Sequence, residues 1–281
     1  MDIALIAMDL DGTLYNSKKE IDPRTAEALM RAQRAGILLA LVSARPLPGL
    51  YHARDALRLP EYGGALIACN GGRIVDAKTG ALLHHRGMAL SEARAVLRAL
   101  EPLPCTPILD DGERFYVTDK TAYKVDYECW NNRMTCREVP NLADFISFEP
   151  AKLLLSVQPP ELPALQAHIA ALLPDSLTVV QTADFYLEVL PRGVHKGQAL
   201  SDACEALAID PARAVAFGDA ENDIPMLQRA GLGVAMGNAD SRVKAAADRV
   251  TLTNDEAGIA ALLDEILPDR EVDPGKGREC V

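Results

Sequence analysis

Residues Ala4–Tyr15 read ALIAMDLDGTLY. The apolar run from Ile3 to Met8 ends in two aspartates one residue apart, Asp9 and Asp11, with Gly12 and Thr13 directly behind them. A run of that length closed by a turn signal predicts a buried strand of a parallel sheet. Side chains alternate along a strand, so Asp9 and Asp11 are expected on one side at the point where it ends. Gly12 lets the chain turn away sharply and keeps both carboxylates at the mouth of the sheet. In open α/β sheets that carboxyl end is where ligands bind. Two carboxylates this close repel unless a cation sits between them or one takes up a proton. Taken alone, the motif also fits a solvated turn or a fragment of a calcium loop, so its meaning rests on the segments that follow.

Working outward, Asp22 and Pro23 predict a helix start, with Asp22 as the N-cap and a stop at Gly36. A second buried strand is expected over Ile37–Val42, ending in Ser43-Ala44-Arg45, and a third over Ala65–Cys69. The turn Asn70-Gly71-Gly72 then feeds a hairpin partner at Arg73–Val75. Strands alternating with helices in this way define a doubly wound α/β fold built on a parallel sheet. The middle reads differently. A helix over Ser91–Leu100, with Ser91 as its cap, leads into prolines at 102, 104 and 107 and then short strand-like pieces. That pattern implies an α+β module inserted into the first unit. The doubly wound pattern resumes near Val194, with a helix from Lys196 and a strand over Ala214–Phe217. The expected division is a core in two parts, 1–84 and 191–267, an insert over 85–190, and a disordered tail over 268–281.

Composition narrows the classes of function. The chain has 281 residues, 49% of them hydrophobic and 25% charged, the balance of a soluble protein with a sizeable core. A net charge of −11 argues against nucleic-acid binding, which needs a basic face. No apolar run approaches the ~20 residues of a membrane span. The start, MDIALIAMDLDG, lacks a basic leader region and reads as a strand, not a signal peptide. Six cysteines are scattered without CxxC or zinc spacing, which predicts free thiols and a cytoplasmic protein. Cys129 and Cys136 lack histidines at ligand spacing, so no metal site is expected there. Tyr123, Tyr127 and Trp130 lie in a polar stretch and are read as local packing. His84-His85 is read as a surface linker, and His195 as facing away from the site.

The chemistry-bearing residues fall at strand ends and helix starts of one half of the fold. They are Asp9 and Asp11, then Ser43, then Lys196, then Gly218-Asp219-Ala220-Glu221-Asn222-Asp223. Phosphoryl transfer needs such a set. One carboxylate can attack phosphorus, and a second can protonate the leaving oxygen and later activate water. A hydroxyl and a lysine can hold the phosphoryl oxygens, and a divalent cation can offset their repulsion from the nucleophile. Mg²⁺ suits an oxygen-only shell.

DLDGTL, the strand-terminal Ser43, Lys196 and GDAENDIPML resemble, in order and wide spacing, the four motifs of the haloacid dehalogenase-type phosphatases. The resemblance runs nearly the whole chain, to about Leu267. CNGG before the insert and LEVLPRGVHKGQAL after it resemble the Cof-like branch, subfamily IIB with a C2B-type cap. It implies a Rossmann-like core, an α+β cap domain, Mg²⁺ and a small phosphate ester as substrate, a sugar phosphate first among the candidates. It also implies Asp9 as nucleophile and metal ligand, Asp11 as general acid/base with its main-chain carbonyl on the metal, and Asp219 as a further ligand. Ser43 and Lys196 would grip the phosphoryl group. Asn222 and Asp223 would orient Lys196 and the metal's waters, and Asn70 and Gly71 would offer turn amides to the phosphate. The branch usually has Thr-Gly-Arg where this chain has Ser43-Ala44-Arg45; serine keeps the hydroxyl, while Ala44 restricts the backbone near the ligand. A phosphomutase or phosphotransferase would use the same residues. A catalytically silent ligand-binding protein is the alternative from another class, and a monomer or homodimer is expected.

Overall fold

The structure, a computed structural model, describes residues 2–267. The tail expected to be disordered, 268–281, lies outside the described residues. Among the described residues, fourteen strands form two sheets. In chain order they are β1 (Leu5–Met8), β2 (Leu38–Val42), β3 (Gly64–Ala68), β4 (Arg73–Asp76), β5 (Leu82–His85), β6 (Cys105–Asp110) and β7 (Phe115–Val117). They continue as β8 (Cys136–Glu138), β9 (Leu153–Val157), β10 (Leu177–Ala183), β11 (Tyr186–Pro191), β12 (Ala214–Gly218), β13 (Leu232–Ala235) and β14 (Arg249–Val250).

The larger sheet has the order β14-β13-β12-β1-β2-β3-β4-β5. Its six strands from β14 to β3 are parallel, and the β3–β4 and β4–β5 pairs are antiparallel. The strand order reverses at β1, which pairs with β2 on one side and β12 on the other, so the residue after Met8 lies at the topological switch point. Both faces are covered. Ile6 and Met8 of β1 pack with Leu39, Leu41 and Phe217 and with Leu29, Ile259 and Leu263 from helices Pro23–Arg34 and Gly258–Ile266. Leu5 and Ala7 face the other way, onto Leu200 and Ala203 of helix Lys196–Ala206 and Met226 and Leu227 of helix Ile224–Arg229. Burial on both faces is why β1 reads as a continuous apolar run instead of an alternating one.

The smaller sheet, β10-β11-β9-β6-β7-β8, is antiparallel except for β7–β8 and lies in the chain between β5 and Lys196. Helices Leu90–Leu100 and Leu162–Leu172 cover one face through Leu97, Leu100 and Ile169 against Leu153, Leu155 and Leu187. The opposite face packs Ile108, Phe115, Val117 and Leu154 against Val125 and Met134. The molecule is thus a doubly wound α/β core carrying an inserted α+β module. No helix among the described residues is long and apolar enough to cross a membrane.

Local chemistry explains the helix starts. The Asp22 carboxylate accepts hydrogen bonds from the Arg24 and Thr25 amides at 2.8 and 3.3 Å, and Pro23 fills the first helical position. Ser91, expected as a cap, instead lies inside the first turn of Leu90–Leu100, with Ala89 at the cap position and no side-chain bond there. His84 and His85 are not a linker: they sit in β5 opposite Ile74 and Arg73. Tyr123 and Tyr127 pack edge-on against Phe185, whereas Trp130 is 70% exposed.

Candidate active site

Asp9 follows β1 directly, and its amide still donates to the Phe217 carbonyl of β12 at 3.1 Å. Lys196, the first residue of its helix, is buried, at 1% exposure. Its Nζ donates to Asp9 Oδ1 at 2.5 Å and to Asp223 Oδ1 at 2.6 Å. The other Asp223 oxygen accepts the main-chain amides of Asp219 and Ala220 at 2.9 and 3.0 Å, which fixes the loop after β12. Asp219 Oδ1 accepts from the Thr13 hydroxyl at 2.7 Å. Gly12 has φ +88°, and a Cβ there would lie 2.2 Å from Asp219 Oδ2, so this glycine meets both a conformational and a steric need. The Asn238 amide holds the Gly12 carbonyl at 2.8 Å.

Burial pushes the Asp9 carboxyl up to about 8 against the pull of Lys196, with Asp223 and Asp219 adding to the rise. Burial likewise raises Asp219 to about 6 although the Thr13 hydroxyl opposes it. Burial alone would lower Lys196; Asp223 and Asp9 override it and hold the ammonium above its ordinary value. Two buried carboxylates, Asp9 and Asp223, and the half-buried Asp219 therefore share one ammonium, and the surplus negative charge calls for a proton or a further cation. Asp9, Asp219 and Asp223 each offer an oxygen within 4.8 Å of the others. Asp223, however, already accepts three bonds, whereas no hydrogen bond among the described residues uses Oδ2 of Asp9 or of Asp219. Asp9 and Asp219 are thus the open donors. Two hard oxygens beside uncompensated charge fit a cation such as Mg²⁺.

The Asp11 carboxylate stands apart from this cluster. Arg45 grips it with Nε and Nη2 at 2.6 and 2.8 Å, and Lys19 Nζ adds a bond at 2.5 Å. Burial would raise Asp11, but Arg45 and then Lys19 hold it below the ordinary carboxylate value. Arg45 also donates to Asn131, at 2.5 Å to the carbonyl and 2.9 Å to the side chain, and so joins the core to helix Val125–Asn132 of the insert.

Ser43 is buried just past β2, and its Oγ accepts the Arg45 amide at 3.2 Å. The Ala44 carbonyl accepts from Lys152 Nζ at 2.8 Å, and Lys152 is itself paired with buried Glu188. Two expectations need correction. The Asn70 amide already donates to the Ser43 carbonyl at 2.9 Å, so it is not free for a phosphate. Gly71, the other residue of that turn, also packs closely, since a Cβ there would fall 2.5 Å from Ala199 Cβ on the lysine's helix. Asn222 does not reach Lys196; its amide donates to Asn70 Oδ1 at 3.1 Å, leaving Asp223 to hold the lysine. His195 is exposed, and its ring caps the following helix by accepting the Gln198 amide at 3.2 Å.

Several site residues had escaped the sequence reading. Thr13 sat within the quoted motif, but its partner lies 206 residues away. Lys19 and Asn131 belong to segments with no apolar periodicity to fix where they point. Lys152 precedes one apolar strand and Glu188 lies within another, and a lone charge in either setting reads as solvated.

With this geometry in hand, the family is decided by comparison. The chain matches the model of the haloacid dehalogenase-like hydrolase family over residues 6–263. It is 32% identical over 298 residues to phosphatase YwpJ of Bacillus subtilis (strain 168), covering 94% of this chain and 99% of that protein. It is 30% identical over 271 residues to pyridoxal phosphate phosphatase YbhA of Escherichia coli (strain K12), covering 94% and 98%. A crystal structure of a haloacid dehalogenase-like hydrolase from Bacteroides thetaiotaomicron superposes with a TM-score of 0.89 at 33% identity, covering 94% of this chain and 99% of that one. The chain belongs to the haloacid dehalogenase-like hydrolase family, in the Cof-like branch of phosphatases.

Proposed function

We propose that the protein is a Mg²⁺-dependent phosphatase that hydrolyses a small phosphate monoester, a sugar phosphate first, through an aspartyl-phosphate on Asp9. The observation that carries this reading is the buried Lys196 ammonium bonded at once to Asp9 and Asp223. It holds the attacking carboxylate still and leaves positive charge where phosphoryl oxygens would lie.

In this reading the Asp9 carboxylate attacks phosphorus, the bond to the leaving oxygen breaks, and Asp11 supplies that oxygen with a proton. Asp11 then takes a proton from the water that cleaves the acyl-phosphate. Because Arg45 and Lys19 hold Asp11 at rest, it serves as an acid only after trading those bonds for the leaving group. Ser43 and Lys196 bind the phosphoryl oxygens, while Asp223 keeps both Lys196 and the Asp219 loop in place. Asp9 and Asp219, with the Asp11 main-chain carbonyl, would hold Mg²⁺, whose charge offsets the repulsion between phosphate and carboxylate. Residues 85–190 would act as a cap that excludes water and selects the leaving group.

The test is phosphate release from sugar, nucleotide and pyridoxal phosphates with magnesium and with EDTA. Metal-dependent release supports the phosphatase. A burst of phosphoenzyme that is discharged only onto a sugar acceptor would mark a phosphotransferase instead. No release and no phosphoenzyme would overturn both.

A further inference from the structure

The proton donor in the proposed reaction must face the leaving group, so the space beyond Asp11 is where the leaving group goes. This inference rests on the phosphatase reading. That space is a cleft of about 210 Å³ where the core meets the insert. Its walls include Lys19 and Arg45 from the core and Trp130, Asn132 and Arg133 from the insert. Three of these are cations, and no aspartate or glutamate among the described residues lines the cleft, in a chain whose net charge is −11. Lys19 and Arg45 connect the cleft to Asp11, whose single carboxylate pairs with both. The Arg133 side chain is exposed and has no ion pair or hydrogen bond among the described residues. It directly follows helix Val125–Asn132, with its backbone in the left-handed region at φ 55°, as the residue that ends that helix. Asn132 is buried, and its Oδ1 accepts no bond among the described residues while its amide is held by Glu128 at 2.8 Å. An occupant of the cleft thus meets the unpaired guanidinium of Arg133 and, across from it, Lys19 and Arg45, which are bonded to Asp11.

Such a lining is excessive for a neutral leaving group, because guanidinium and ammonium groups are matched by carboxylate or phosphate oxygens. We infer that the substrate is doubly anionic: the ester cleaved at Asp9 carries, on its leaving group, a second phosphate or carboxylate that Arg133 and Lys19 bind, with Arg133 setting the preference.

The experiment compares a hexose 6-phosphate with the corresponding hexose 1,6-bisphosphate, which share the ring and differ in one anionic group. The expected result is a kcat/KM at least about tenfold higher for the bisphosphate, expressed chiefly in KM, as a charge-assisted contact would give. Arg133→Gln is expected to raise KM for the bisphosphate by about tenfold and to bring the ratio between the two esters toward one. Arg133→Lys should restore part of it. Equal kcat/KM for the two esters in the unaltered enzyme, or an Arg133→Gln effect that falls equally on both, overturns the inference while leaving the phosphatase intact. Failure of the phosphatase reading looks different: no phosphate is released even from an activated aryl phosphate. Binding of the same two sugars, followed by calorimetry, then decides, and equal affinity overturns the inference.

Discussion

Lys196 Nζ stands 2.5 Å from Asp9 Oδ1 although 187 residues separate them in the chain. The contact brings the end of β1 against the first turn of a helix that begins only after the whole insert. It also sets the charge balance of the site, since Asp9, Asp219 and Asp223 depend on this one ammonium.

Replacing Lys196 by methionine should therefore do two things. Phosphate release should fall to background, and the metal-free fold should lose about 3–5 kcal/mol because buried carboxylates are left unpaired. Adding Asp223→Asn removes one of those charges and should recover part of the stability but none of the activity. Urea unfolding of both variants in EDTA checks this, and equal stability of the single and double variants would argue against it.

Gly12→Ala is expected to disturb the metal site from outside it. The new Cβ would fall 2.2 Å from Asp219 Oδ2 at a φ of +88°, so the Asp219 side chain has to move. Apparent magnesium affinity should drop by about tenfold or more, as when a metal ligand loses its support. Titrating activity against magnesium measures it.

Without metal, folded Asp9 and Asp219 titrate at about 8 and about 6, above their ordinary 3.8. The folded protein then holds protons that the unfolded chain releases, so metal-free stability falls as pH rises from about 4 toward 8. Magnesium displaces those protons, and its stabilising effect should grow over the same range. The rise in Tm on adding magnesium should be larger at pH 8 than at pH 6; the same rise at both would contradict it.

Arg45→Gln removes the main influence holding Asp11 low. Asp11 should titrate nearer its ordinary value, and the limb of log kcat/KM that falls as Asp11 loses its proton should move up by about one pH unit. A pH–rate profile of the variant shows whether it does.

The legible parts of the chain were those where burial leaves a pattern. β1 and β12 are apolar on both faces and end in acid-glycine turns, so Asp9, Asp11 and Asp219 could be placed from the sequence. Lys196 could be found only through the motif order, because a lysine at a helix start ordinarily reads as solvated. Helix Val125–Asn132, VDYECWNN, was missed because it lacks an apolar stripe, and with it went Asn131, the partner of Arg45. β5 was missed because it is a short edge strand whose pairing with β4 carries an irregularity, so His84 and His85 read as linker. The turn at Asn70 and Gly71 shows a different limit: a turn sequence marks where main-chain amides could face a ligand, but not that the Asn70 amide is taken by the Ser43 carbonyl.

The most direct test of the central claim is to acid-quench the enzyme during turnover of a phosphate ester with magnesium and map the phosphorylated peptide by mass spectrometry. The account predicts an acid-stable, alkali-labile phosphoryl group on Asp9, absent from Asp9→Asn, which should also lack turnover while remaining folded. Near-full phosphate release by Asp9→Asn, or a phosphoryl group on any other residue, would contradict it.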